Sequence, residues 1–233
     1  MKRVVLDTNV LAAGFRSREG ASFAVLQIVA SRQIMPIVTI ALYLEYEAVL
    51  KREEQAAVHG MTSTEVDRAL AGFLTLAEMI DVRYRWRPKL SDPKDELVFE
   101  AAVNGRADAL VTHNVRDFAQ AKDEFGLRVM RPRVVGGTED MSSNTYPLKL
   151  PASIKAAATR LAKEDGVSLN QWIASAVAQK VGAVETAAEF LGKRTANATP
   201  DDFSKALESV PGNPPMNGDE LPEGWTKPQG YKA

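Results

Sequence analysis

The sequence holds no cysteine and only two histidines in 233 residues. Without thiols there is no disulfide framework, no Cys-ligated zinc and no thiol nucleophile. Two histidines exclude a His-rich metal centre, so a metal bound here is held by oxygen, meaning carboxylates and hard cations such as Mg2+ or Mn2+. No apolar run approaches the roughly 18 residues of a membrane span. The opening Val4-Val5-Leu6 is broken at once by Asp7 and is too short for a signal peptide. The expectation is a cytoplasmic protein with no membrane partner. An excess of one charge sign is also missing: 29 basic residues face 30 acidic ones, net −1. That argues against a wholly basic nucleic-acid coat and leaves room for local patches.

What is present is globular, with 45% apolar and 25% charged residues. The length admits one or two domains at roughly 100–200 residues each. Residues 1–135 alternate strand and helix. Val4–Leu6 reads as a buried strand, Ser22–Ala30 as a helix, Pro36–Thr39 as a strand and Ala41–Arg52 as a helix. Thr62 and Glu65 form a capping box before a helix lined by Val66, Leu70 and Phe73. Short strands are expected at Ile80–Val82, Ala109–Thr112 and Leu127–Met130. Asp92-Pro93 opens a helix that stops near Asn104-Gly105, and a short helix starts at Val115. This alternation predicts an α/β fold, a parallel sheet flanked by helices.

After a linker at 136–144, with a second potential start at Met141, the pattern changes to strand, helix, helix over 145–183. A unit that small implies an obligate dimer. Residues 184–233 hold two short helical pieces and then a Pro/Gly-rich stretch, expected to be extended or disordered when unbound. Charge follows the same division. Residues 1–140 carry 19 basic and 20 acidic groups, residues 141–182 five and two, and residues 183–233 five and eight.

Four acids stand at suggestive places: Asp7 after the first strand, Glu45 on the helix after the second, Asp95 at the start of the helix after the third, and Asp117 just after the fourth, beside Asn114. In a doubly wound sheet the C-terminal strand ends share one crevice. Acids gathered there repel unless a cation neutralises them, and two hard cations can clamp both oxygens of a phosphodiester in hydrolysis. Each acid also has a plain structural reading, as a turn residue, a solvated helix acid or a first-turn acid. The order of the set carries the functional one. Arg16 and Arg116 are candidate RNA-backbone contacts, although a solvated charge is the commoner role of each. His113 reads as a packing residue ahead of a general base. The run Arg83-Tyr84-Arg85-Trp86-Arg87 suits either base stacking or an edge strand.

The segments "VVLDTNVLAAGF", "TIALYLEYEAVLKRE", "DPKDELVFEAAVNGRADALVTHNVRDF" and "LRVMRP" resemble the PIN-domain family, the nuclease domain of many bacterial toxins. The resemblance implies a Mg2+- or Mn2+-dependent ribonuclease. By motif, Asp7, Glu45 and Asp95 match the metal-binding acids. Thr8 and Asn9 match supporting residues, and Thr112, Asn114 and Asp117 match a "TxNxxDF" variant. Many relatives carry Asp where this chain has Asn114, so Asp117 is the candidate for the fourth acidic ligand.

The stretch "YPLKLPASIKAAATRLAKEDGVSLNQWIASAVAQKVGA" resembles ribbon–helix–helix antitoxins of the HicB-like type. That resemblance implies a dimer whose paired strands enter the DNA major groove. Thr145 and Lys149 would face operator DNA, and Ser168 and Asn170 a phosphate. In such pairs the antitoxin tail wraps the toxin. Phe190, Leu191, Phe203 and Leu207 are the candidate anchors here, and Lys193 and Arg194 the candidates to reach the carboxylates. The chain as a whole resembles a toxin and its antitoxin joined end to end. The alternative is a non-catalytic DNA-binding regulator with a degenerate PIN scaffold; a structure-specific DNA nuclease is a more distant third.

Overall fold

The computed structural model describes residues 1–84, 90, 95–119, 124–135, 159–160 and 191–226. The ribbon–helix–helix expectation, with Thr145, Lys149, Ser168 and Asn170, lies outside the described residues, as do Phe190, the Asp92-Pro93 helix start and Arg85–Arg87.

Five parallel strands form one sheet in the order β3-β2-β1-β4-β5. They are β1 (Lys2–Leu6), β2 (Ile34–Val38), β3 (Glu78–Met79), β4 (Ala109–Val111) and β5 (Val129–Met130). Val4, Val5 and Leu6 of the central strand are fully buried, as expected for a parallel strand covered on both faces. The helices described over their whole length are α1 (Thr8–Arg16), α2 (Ala21–Ala30), α3 (Ile40–Leu50), α4 (Glu53–His59), α5 (Ser63–Leu74), α6 (Asp95–Asn104), α7 (Pro132–Val135) and α8 (Pro200–Glu208). Local chemistry sets several boundaries. The Thr39 hydroxyl accepts from Leu42 N and starts α3, and Thr62 with Glu65 forms the expected capping box of α5.

Four details differ from the sequence reading. The stretch after Asp7, to which the sequence reading assigns no element, is helix α1, because the Asp7 side chain accepts from Asn9 N and caps it. The helix expected over Ala41–Arg52 ends at Leu50, and α4 follows directly. The strand expected at Ile80–Val82 is Glu78–Met79, paired with Ile37 and Val38. It ends with the bond from Ile80 N to Val38 O, since Thr39 then leaves the sheet to cap α3. At Val115 the chain first turns, and α-helix is reached only at Ala119: Asp117 N bonds Asn114 O and Ala119 N bonds Arg116 O, both three-residue spacings.

The tail shares the core of the first domain. α8 packs on α5 and α2. Phe203 is buried, its ring 5.3 Å from that of Phe73 and 6.3 Å edge-on from that of Phe15. Leu191, Leu207 and Val210 are buried in the same cluster. The fit depends on Gly72 of α5, where a Cβ would stand 2.5 Å from the backbone N of Phe203. Leu191, Phe203 and Leu207, the candidate anchors, are thus all buried.

Candidate active site

β1 and β4 are neighbours, and the chain leaves them in different directions, which opens the crevice where ligands bind in parallel α/β sheets. Asp7 stands at the end of β1. It is 5% exposed, and its Oδ2 accepts from Asn9 Nδ2 at 2.7 Å and from Thr112 Oγ1 at 2.5 Å. Its Oδ1 receives the long N–H of Asn9 at 3.4 Å. Burial pushes the Asp7 carboxyl above its ordinary value, against the lowering effect of these donors and of the nearby His113. The Thr112 hydroxyl, at the end of β4, also accepts from Asn114 N at 2.9 Å, so the two strand ends are tied through Asp7. Asn9 Oδ1 accepts from His113 N.

Glu45 comes from α3 and reaches the same region beside Tyr46. The Tyr46 hydroxyl donates to Leu6 O, one residue before Asp7. Burial holds the Tyr46 phenol far above its ordinary value, and the charges of Asp7 and Glu45 push it the same way. Asp95 opens α6, which packs against β1 and α3, the elements that carry Asp7 and Glu45. Asp117 and Asn114 are exposed at the rim. Asp7, Asn9, Thr112 and the Asn114 backbone therefore form one bonded unit, with Glu45 alongside. Among the described residues no three acids or imidazoles stand close enough together to hold a metal ion between them.

The donor set around Asp7 nonetheless suits a hard cation. A buried carboxylate with an incompletely bonded Oδ1 gains from a positive charge, and the Thr8 hydroxyl oxygen beside it is buried with no hydrogen-bond partner among the described residues. Residues 3–116 match the PIN domain family model. PIN domains are generally metal-dependent nucleases and are often toxins of toxin–antitoxin systems. The match thus supports a hydrolase acting on nucleic acid, on a sheet and helix arrangement consistent with that fold. Searches among curated proteins and among solved structures returned no match. No helix among the described residues is long and apolar enough to cross a membrane.

The PIN-like site has a neighbour that sequence reasoning missed. His113 is half-buried, with Nε2 2.9 Å from Ser22 Oγ. The Ser22 hydroxyl and the Ser22 N–H both donate to Asp219 Oδ1 at 2.8 Å. The serine has one proton to give, so His113 carries its hydrogen on Nε2 and donates to Ser22. Ser22 and Asp219 are 197 positions apart, and no periodicity links them. Of the tail cations, Lys193 is exposed, and the guanidinium of Arg194 lies 5.5 Å over the Tyr43 ring. Arg16 is half-buried, and its carbonyl accepts from Asn213 Nδ2; Arg116 is exposed.

Proposed function

We propose that the chain is a metal-dependent endoribonuclease held inactive by its own C-terminal tail, with a ribbon–helix–helix module at 145–183 that dimerises and binds operator DNA. The observation that carries the nuclease reading is Asp7, a buried carboxylate fixed at the switch point of a sheet whose sequence matches PIN domains. Asp7, Glu45 and Asp95 would hold Mg2+ or Mn2+, with Asp117 the fourth candidate in place of an acid at Asn114. A bound cation supplies charge neutralisation at the phosphate and an acidified water. Thr112 and Asn9 orient the Asp7 carboxylate, and Tyr46 pins the strand end from below. Asn114, exposed beside the hub, would be a further polar contact for the substrate.

The seat of the tail supports autoinhibition. Residues 191–226 pack on the nuclease-like domain, and Asp219 reaches the side chain bonded to His113, next to Asn114. Covalent linkage raises the local concentration of such a tail to about millimolar, so a modest contact suffices to keep it docked. The test compares RNA cleavage by the full chain and by residues 1–140 with Mg2+ or Mn2+. The short form should cleave, the full chain little, and Asp7→Asn not at all. An inactive short form that is folded refutes the nuclease reading; equal activity of both forms refutes autoinhibition.

A further inference from the structure

Helix α2 has no cap of its own. Its N-cap is Gly20, which offers no side-chain acceptor to the first-turn N–H groups. The tail supplies what is missing: Asp219 O accepts from Ala21 N at 2.7 Å, and Asp219 Oδ1 accepts from Ser22 N and Ser22 Oγ. Gly20 is required for this approach, since a Cβ there would fall 2.4 Å from Asp219 Oδ2. Asp219 is 1% exposed, and its carboxylate Oδ2 lies against Gly20 with no hydrogen-bond partner among the described residues. A helix N-terminus fitted with a serine hydroxyl, a glycine cradle and an anion already seated is a site built for a tetrahedral or planar oxyanion.

The surroundings favour a polyanion over a lone carboxylate. The imidazole of His113 bonds the same Ser22 hydroxyl and, through its backbone N–H and Asn9, connects to Asp7. Arg131 acts electrostatically on His113, and Arg133, on α7, acts on Glu220. α7 packs on α2. Asp219 thus faces the α2 N-terminus and His113, and Glu220 beside it lies within electrostatic reach of Arg133.

We infer that the α2 N-terminus, formed by Gly20, Ala21 and Ser22 with His113 behind it, is a subsite for a backbone phosphate of the nucleic-acid substrate, and that Asp219 occupies it in place of that phosphate. This deepens the proposed nuclease function and rests on it. The tail then inhibits by filling a phosphate position adjacent to Asp7 as well as by covering surface. The other anchors, Phe203 and Leu207, hold the tail without touching this subsite.

The test measures binding of a fluorescent single-stranded RNA oligonucleotide to the full chain in EDTA, where no cleavage occurs. Asp219→Ala should tighten binding by about tenfold or more, the worth of one charge-assisted phosphate contact. Adding Gly20→Asp to that variant places a carboxylate at the helix N-cap and should return the affinity to that of the parent chain. Asp219→Ser keeps a neutral cap and should tighten binding in the same direction, so it serves where Asp219→Ala does not fold. Unchanged RNA affinity in folded Asp219 variants overturns the subsite, even if their cleavage of RNA with Mn2+ rises. Tighter binding that Gly20→Asp reverses upholds the subsite even if no full-length variant cleaves, since Phe203 and Leu207 still hold the tail; the nuclease reading itself falls only if folded residues 1–140 are inactive with Mg2+ and Mn2+.

Discussion

Replacing Gly72 by alanine should change stability in opposite directions depending on whether the tail is present. Gly72 lies inside α5, where glycine costs about 0.5–1 kcal/mol relative to alanine through its greater freedom in the unfolded chain. In residues 1–140 alone, the substitution should therefore stabilise by about that amount. In the full chain the new Cβ would stand 2.5 Å from Phe203 N, 3.0 Å from Thr199 O and 3.1 Å from Phe203 Cβ. Two of these are backbone atoms of α8 and its cap, which cannot swing aside as a side-chain end can. The helix must shift or lift off, and overpacking of this kind costs about 1–3 kcal/mol, more than the helix-propensity gain. The assay is urea unfolding of both forms, each with and without the substitution, read by circular dichroism. Limited proteolysis of the tail adds a local readout, since a lifted α8 is cut faster. The reasoning is refuted if Gly72→Ala shifts both forms in the same direction, or if it stabilises the full chain.

Three further outcomes follow from the same contacts. Phe203→Ala empties the space between Phe15 and Phe73 and should weaken tail docking by about 3–5 kcal/mol. The undocked fraction then grows by roughly 150- to 5,000-fold until it saturates, and RNA cleavage should grow with it; cleavage that stays flat while the tail becomes protease-sensitive would separate docking from inhibition. Because burial raises the Asp7 carboxyl, the metal-free folded protein retains a proton there that the unfolded chain has released, and stability falls as pH rises from the ordinary value of 3.8 through the raised one. Asp7→Asn should thus raise the metal-free melting temperature at pH 7 and do so less below pH 3.8, and a difference independent of pH would show that Asp7 is not strained by its charge. Mn2+ at a hundredfold excess over its Kd should stabilise the protein by about 2.7 kcal/mol, and Asp7→Asn should lose this shift; equal shifts in both would place the ion elsewhere.

Much of the framework is readable along the chain. Val4–Leu6 is apolar and β-branched enough to be a buried strand, the Thr62 and Glu65 spacing makes a capping box, and Leu191, Phe203 and Leu207 are apolar residues on short helical pieces of the tail. These signals act over a turn or a strand, so local sequence contains them in full. Asp7 was singled out by its place after the first strand, yet its second role, capping α1, was hidden because the helix that follows is short and begins without a break. The short β3 was displaced by two residues because a two-residue strand has no periodicity; its register is set by where β2 stops.

The sequence by itself determined the alternation of elements, the order of the acids and the apolar character of the tail, because each depends on neighbours within a few residues. Only the tertiary structure decided that Thr112 and Asn9 converge on Asp7, that Gly72 and Gly20 are bare because the tail lies against them, and that Asp219 caps α2. Apart from the local bond of Asn9 to Asp7, those contacts join residues at least 105 positions apart. The pairing of β1 with β4 brings Thr112 to Asp7; the tail contacts exist because burying Phe203 and Leu207 brings the tail back onto the sheet's helices, and no local preference of Ser22, Gly20 or Asp219 encodes that return.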